Sequence, residues 1–126
     1  MNDLIETLPV VALRGMTILP GMVIHFDVSR ERSVKAIEQA MLKEQRIFLV
    51  TQKDVQVEQP GPEDLYRIGT IASVKQVIKL PHNVIRVLAE GLEKAELSHF
   101  SQDGEFLEAE VIRFESEDAL ENLDPA

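Results

Sequence analysis

A pair of long apolar segments separated by only three residues constrains the fold most. Residues 69–80 (GTIASVKQVIKL) and residues 84–97 (VIRVLAEGLEKAEL) are joined by Pro81, His82 and Asn83. Segments rich in valine and isoleucine favour strands, and Asn83 tolerates the left-handed conformation that a tight turn requires. Two strands with so short a connection run antiparallel. The sequence therefore predicts a long β-hairpin, whose second strand bends at Gly91.

Four further segments predict strands. Residues 21–29 (GMVIHFDVS) alternate between apolar and polar side chains, which is the period of a strand with one buried face. The predicted buried face holds every second side chain: Met22, Ile24, Phe26 and Val28. Continuous apolar runs at residues 8–13 and 46–51 predict strands buried on both faces. A last strand is predicted at residues 106–114, after an Asp103-Gly104 turn.

One segment carries helical periodicity. In residues 30–43 the apolar side chains recur at helical spacing, and Ser29 is of the residue type that caps a helix N-terminus. A short helical turn is predicted to begin at Pro62, because proline suits the first position of a helix. These elements together predict a mainly β (α+β) fold, a partly closed antiparallel β-barrel of about six strands with one main helix.

The charge and composition of the chain exclude several classes of protein. Its 126 residues carry a formal net charge of −9, and an acidic surface with scattered bases argues against nucleic acid as a partner. The sequence has no cysteine, no apolar run approaching the roughly 18 residues that span a bilayer, and no secretory signal at its start. It predicts a cytoplasmic protein with no membrane partner.

The motifs of nucleotide, metal and nucleophilic chemistry are missing from the sequence. No glycine precedes a lysine, so there is no P-loop, and neither GxGxxG nor HExxH occurs. The three histidines are far apart, whereas metal ligands usually lie close together in sequence. Glu90, Glu93 and Glu96 are interpreted as a solvated face, with Glu90 and Glu96 on one side of the strand and Glu93 on the other, unless Gly91 changes the phase of the alternation. We predict no catalytic, cofactor-binding or metal-binding residue in this chain.

Several short motifs follow one another in a fixed order along residues 8–97. They are Leu13-Arg14, Pro20-Gly21-Met22, Ser29-Arg30-Glu31 with Ser33, Asp64-Leu65-Tyr66 with Gly69-Thr70, and Arg86-Val87-Leu88 with Glu90-Gly91-Leu92. Each motif is weak alone, but the ordered set resembles the N-terminal domain of the Lon ATP-dependent serine protease family.

The resemblance implies a PUA-like barrel that recognises substrates for a larger machine. It implies a LON domain over residues 1–114, followed by an acidic linker over residues 115–126 toward a helical region. The implied parent is a hexameric enzyme of protein quality control and the stress response, which degrades unfolded, damaged and degron-bearing regulatory proteins. Its ATP, Mg²⁺ and Ser-Lys dyad belong to domains that this segment does not contain. The alternatives are a stand-alone LON-domain binding adaptor and a self-association module.

A domain that captures unfolded proteins is expected to expose apolar surface that its own core does not use. Leu88 shares its predicted strand face with Arg86 and Glu90, so it either contacts substrate or packs beneath a neighbouring loop. Methionine suits binding to many sequences, and Met16, Met22 and His25 would form one patch with Leu88 if their strands pair. Met22 alone is better explained as part of the buried face. The predicted contacts for substrate proteins are Met16, Met22, His25, Arg86 and Leu88. A third mode is pairing of an extended substrate with an exposed strand edge.

Overall fold

The computed structural model describes residues 5–56, 62–101 and 106–114, and it contains six strands, one α-helix and one 3₁₀ turn in this range. The elements are β1 (Ile5–Leu13), β2 (Val23–Val28), α1 (Glu31–Met41), β3 (Arg46–Thr51), the 3₁₀ turn (Pro62–Asp64), β4 (Ile68–Leu80), β5 (Val84–Ser101) and β6 (Glu108–Arg113). The predicted mainly β class with one main helix is confirmed. The predicted Asp103-Gly104 turn and the linker at residues 115–126 lie outside the described residues.

The strands form one sheet that closes on itself. Its order is β2-β5-β4-β3-β1-β6, and β5 pairs with β6 as well, so that β5, β4, β3, β1 and β6 make a closed ring. The second half of β5 contacts β6, while its first half, from Ile85 to Glu90, pairs with β2. Strand β2 therefore lies outside the ring as a flanking strand.

One pairing differs from the predicted all-antiparallel barrel. Strand β1 pairs with β3 in parallel, with Val10 opposite Phe48, whereas the other pairs are antiparallel. Parallel neighbours need a crossover connection, and the chain supplies one through β2 and α1. Sequence order alone could not show that β1 and β3 become neighbours.

Two apolar clusters fill the two sides of the sheet. The interior of the ring is packed by Leu8, Val10, Phe48, Val50, Leu65, Ile71, Ala95, Leu97, Ala109 and Val111, among others. Helix α1 covers the other cluster with Ala36, Ile37 and Ala40, and β2 contributes Phe26 and Val28 to it. Because β2 contributes only every second side chain, its opposite face is exposed.

Four charged side chains lie at one end of the ring interior. Glu6, Arg46 and Arg113 are each two residues from the interior residues Leu8, Phe48 and Val111, and so point to the same side of the sheet. Arg46 donates two hydrogen bonds to Glu6, at 2.7 and 2.8 Å. Arg46 and Arg113 also lie 3.9 and 3.5 Å from Glu93. We call Glu6, Arg46, Glu93 and Arg113 the ionic quartet.

The start of α1 differs from the prediction. The helix begins at Glu31, its N-cap residue is Arg30, and no side chain caps it; the predicted Ser29 cap is wrong. Instead, the Arg30 guanidinium donates to Gln52 Oε1 at 2.7 Å and to the Ala12 carbonyl at 2.8 Å. Arg30 thus ties the helix start to β1 and to the end of β3.

The central hairpin follows the prediction, with one correction. His82 and Asn83 have φ angles of 67° and 62°, so the turn is left-handed at both positions. Strand β5 has an irregular register near Gly91, where Ser73 faces Glu90 and Ile71 faces Glu93. The extra residue places Glu90 and Glu93 on one face, so the alternation changes phase near Gly91, as the sequence left open, and Glu90 and Glu96 do not share a face as they would on a regular strand.

Candidate functional site

A groove of about 440 Å³ runs between β2, the end of β1 and the start of α1, a size within the roughly 300–1,000 Å³ typical of ligand pockets. Strand β1 and the loop after it contribute residues from Val11 to Met16. Strand β2 contributes residues from His25 to Val28, and Ser29, Arg30 and Ser33 line the side toward the helix. Arg86 reaches the groove from β5.

The pairing of β2 with β5 brings the predicted contacts together. His25 lies directly opposite Leu88, and Asp27 lies opposite Arg86. The Arg86 guanidinium donates to both carboxylate oxygens of Asp27, at 2.8 and 3.1 Å. These hydrogen bonds, followed by the charges of Arg86 and His25, hold the pKa of Asp27 below its ordinary value. The same pair raises the pKa of Arg86.

Arginines dominate the charge of the groove. Arg14, Arg30 and Arg86 line it beside a single carboxylate, Asp27. Arg30 is half-buried, and burial, with the nearby charge of Arg14, lowers its pKa. The groove is therefore basic, although the chain as a whole carries a net charge of −9.

The loop between β1 and β2 is fixed to three strands. The Thr51 hydroxyl donates to the Met16 carbonyl at 2.9 Å, and the Thr70 hydroxyl donates to the Ile18 carbonyl at 2.7 Å. Gly91 accepts a hydrogen bond from Gly21 N–H and donates its own N–H to the Met22 carbonyl. The loop is thus held in one position at the end of β2.

This anchored loop exposes apolar side chains. Leu19, Met22 and Val23 are 46%, 39% and 58% exposed, and Leu92, the neighbour of Gly91 in β5, is 38% exposed. We call Leu19, Met22, Val23 and Leu92 the loop patch. The interpretation of Met22 as a buried residue is wrong, because the chain turns at Gly21 and regular alternation starts only at Val23.

The structure places three of the five predicted contacts on the β2–β5 pair and the other two, Met16 and Met22, in the loop between β1 and β2. Met16, His25 and Arg86 line the groove, and half-buried Leu88 is the cross-strand neighbour of His25. Met22 lies at the start of β2, in the loop patch. Sequence reasoning did not find Arg14, Asp27 and Arg30 as groove residues, and only the alternation of residues 21–29 could have indicated Asp27.

The described residues hold no cluster of metal ligands. Within residues 5–56, 62–101 and 106–114, no group of three or more His, Asp or Glu side chains could hold a metal ion. Each of the three glutamates Glu90, Glu93 and Glu96 forms an ion pair with a base, with Lys75, Arg113 and Arg67 at 3.4, 3.5 and 3.5 Å. No helix in this part of the chain has the length and apolar character to cross a membrane.

The fold is shared with solved N-terminal domains of Lon proteases. The "N terminal domain of Mycobacterium avium complex Lon protease" superposes with a TM-score of 0.70 over 88% of this chain and 56% of that one, at 19% identity. A Lon N-terminal domain protein from Xanthomonas campestris superposes with a TM-score of 0.68 over 89% of this chain and 62% of that one, at 15% identity. At such identities, the likeness concerns the fold alone.

Sequence comparison gives the family. The family model described as the ATP-dependent protease La (LON) substrate-binding domain matches residues 7–126. Lon protease of Lachnoclostridium phytofermentans is 52% identical over 93% of this chain, and that of Clostridium acetobutylicum is 42% identical over 98%. The chain belongs to the LON substrate-binding domain family. It spans only 14% and 16% of the length of these two relatives, and the part of the family that it matches is described as a substrate-binding domain.

Proposed function

We propose that this chain recognises protein substrates for an ATP-dependent protease in the cytoplasm, and that it binds unfolded or degron-bearing segments through the loop patch and the adjoining groove. The parent would use ATP and Mg²⁺ in a separate ATPase domain and would act as a hexamer in protein quality control. The observation that carries the proposal is the loop patch, whose apolar side chains are exposed on and beside a loop that is hydrogen-bonded to three strands.

The size of the loop patch predicts weak binding by one copy. A contact that buries about 200 Å² of apolar surface contributes roughly 5 kcal/mol at about 25 cal/mol/Å². The loss of translational and rotational freedom on association, together with the ordering of an unfolded segment, removes much of this. We expect a dissociation constant in the high micromolar range or weaker. Six copies in one assembly would raise the apparent affinity by multivalency.

The test is an amide NMR titration of this chain with a permanently unfolded protein, with the same protein in its native form as control. We expect shifts clustered at Met16, Met22, His25 and Leu88 with the unfolded form only. The absence of shifts at millimolar ligand would contradict substrate binding by this segment and would favour a role in assembly.

Val23→Asp should weaken binding of the unfolded protein at least fivefold, because it places a charge in the centre of the loop patch. Val23 is 58% exposed, so the fold should persist. Leu42→Asp is the matched control, since Leu42 is 79% exposed beyond the C-terminus of α1. The affinity of this variant for the unfolded protein should be unchanged. Equal effects of the two variants would contradict the assignment of the loop patch. Leu88→Asp is also expected to weaken binding and to leave the chain folded.

A further inference from the structure

The backbone of β2 divides its hydrogen-bonding groups between two edges. Gly91 N–H donates to the Met22 carbonyl, which makes Met22 and Gly91 a hydrogen-bonded pair. In an antiparallel ladder such pairs alternate with pairs that have no hydrogen bond. The register from Val23↔Glu90 to Val28↔Ile85 therefore directs the backbone groups of Ile24, Phe26 and Val28 toward β5. The N–H and C=O groups of Val23, His25 and Asp27 point to the opposite edge.

Among the residues that the structure describes, no strand lies beside that opposite edge. In the described part of the chain, β2 pairs with β5 alone, and no loop backbone group bonds to Val23, His25 or Asp27. The 440 Å³ groove contains the edge residues His25 and Asp27 and has the end of β1 as its other wall. A row of N–H and C=O groups without a backbone partner along a groove is a template for an added strand.

The two sides of the edge differ in chemistry. A strand added to β2 would place alternate side chains beside His25 and Asp27, and the others beside Phe26 and Val28. The first side carries Arg86. The second adjoins Met16, which packs against the same apolar cluster as Phe26. The lining of the groove has three arginines and one carboxylate, Asp27, with which Arg86 already pairs. The groove thus keeps a positive charge and complements an extended segment in which acidic residues alternate with apolar ones.

We propose that the outer edge of β2 is the docking site for one extended, alternately acidic and apolar segment of a substrate protein, which joins the sheet as an additional strand next to β2. This inference rests on the proposed function and specifies how the substrate is held. The backbone supplies sequence-tolerant hydrogen bonds, while the basic groove selects the acidic side chains.

The decisive test uses two N-methylated peptides. The parent probe is a ten-residue peptide that alternates valine and glutamate, titrated into the isotope-labelled chain. One derivative carries N-methyl groups on the glutamates and the other on the valines, so that each removes the N–H donors from a different edge of the peptide. An added strand uses only one edge, so one derivative should bind at least tenfold more weakly while the other binds within about threefold of the parent.

The identity of the affected derivative also gives the direction of the added strand. In an antiparallel pair, the residues that bond to His25 share its face, so methylation of the glutamates would abolish binding. In a parallel pair, the bonding residues lie on the other face, so methylation of the valines would do so. Either result supports strand addition. Equal affinities of the two derivatives, whether both strong or both weak, would overturn it.

Two substitutions test the edge and the charge separately. His25→Pro removes one outward N–H, and proline is tolerated where the N–H of an edge strand faces outward; it should lower the affinity about fivefold. Arg86→Gln should lower the affinity for the glutamate peptide at least threefold. It should not weaken binding of a peptide with glutamine in place of glutamate. Lys79→Gln is the matched control, since exposed Lys79 lies outside the groove, and equal losses in the two variants would overturn the charge selection.

The outcome is distinguishable from failure of the proposed function. If unfolded protein shifts the loop patch but the two methylated peptides bind equally, substrate recognition stands and strand addition falls. If neither the unfolded protein nor any peptide binds, both fall. The methylated peptides are used with the unmodified chain, so this decision does not depend on whether His25→Pro folds.

Discussion

Gly91 joins the loop between β1 and β2 to strand β5 at a single position. Its backbone bonds to Gly21 and Met22, and a Cβ atom there would lie 2.4 Å from the Leu19 carbonyl oxygen. The Leu19 oxygen belongs to the backbone, so it cannot move aside as easily as the end of a flexible side chain. The absence of a side chain at Gly91 therefore allows the loop to cross β5 and present the loop patch.

Gly91→Ala should lower the free energy of unfolding by about 1–3 kcal/mol, the usual cost of overpacking, because the loop from Leu19 to Met22 must shift. Urea denaturation measures the loss, and amide shifts should spread from Gly91 to Thr70, whose hydroxyl anchors Ile18. Leu92→Ala changes the next, partly exposed residue and should cost less than Gly91→Ala. A stability of Gly91→Ala equal to that of the unmodified chain would contradict the close approach.

Arg86→Gln should raise the pKa of Asp27 toward its ordinary value, because the guanidinium that favours the carboxylate is lost. Since the folded-state pKa is the lower one, the pair stabilises the fold above the ordinary pKa of aspartate. The contribution is lost as the pH falls through the lowered value. NMR titration of the Asp27 carboxyl carbon measures the shift. Arg67→Gln, which removes the partner of Glu96, should leave the pKa of Asp27 unchanged.

Some individual roles could be predicted from the sequence and others could not. The alternation of residues 21–29 placed His25 on the polar face, and the observed register sets it opposite Leu88. The role of Arg30 could not be predicted, because its partner Gln52 is 22 residues away in sequence. From the sequence alone, Ser29 is the residue expected to cap the helix. Contacts between distant residues depend on the assembled sheet, which local patterns do not define.

At the level of elements, periodicity predicted the strands and the helix but not all their neighbours. Alternation and apolar runs indicated all six strands, and helical spacing indicated α1. The parallel β1–β3 pair and the β1–β6 pair that closes the ring could not be predicted, because pairing between strands distant in sequence depends on which edges meet in space. That the outer edge of β2 has no neighbouring strand in the described residues could therefore be learned only from the structure.

Hydrogen exchange should alternate along β2. The amides of Ile24 and Phe26 bond to β5 and should exchange slowly, whereas those of His25 and Asp27 point to the outer edge and should exchange faster. Residue-resolved NMR exchange measures the difference, and Val87, which is fully buried in β5, provides a slow reference. Uniform protection along β2 would show that a further segment covers this edge.

At the level of the whole molecule, the ionic quartet connects four strands of the ring. It joins β1, β3, β5 and β6 through side chains that lie at the end of the apolar interior. The side chains of Arg46 and Glu6 are only 23% and 22% exposed, so water screens this pair less than a surface pair. The quartet should therefore contribute more to stability than the exposed ion pairs.

Arg46→Ala should lower the free energy of unfolding by about 1.5–3 kcal/mol, because it removes two charged hydrogen bonds and leaves Glu6 half-buried without them. The hydrogen bond to Glu6 is also the main reason why the pKa of Arg46 is raised. Lys75→Ala removes a more exposed partner of Glu90 and should cost less than about 1 kcal/mol. Urea denaturation compares the two, and equal costs would contradict a special role for the quartet.

Closure of the ring by the last described strand has a consequence for biosynthesis. Strand β1 contacts β6 through residues Ile5 to Pro9, and the second half of β5 contacts the same strand. On the ribosome, both edges remain without their partner until residues 108–113 have left the exit tunnel. The β1 edge therefore stays without this partner while all the elements between β1 and β6 are synthesised, and in this interval the nascent domain is most prone to pair wrongly with other strands.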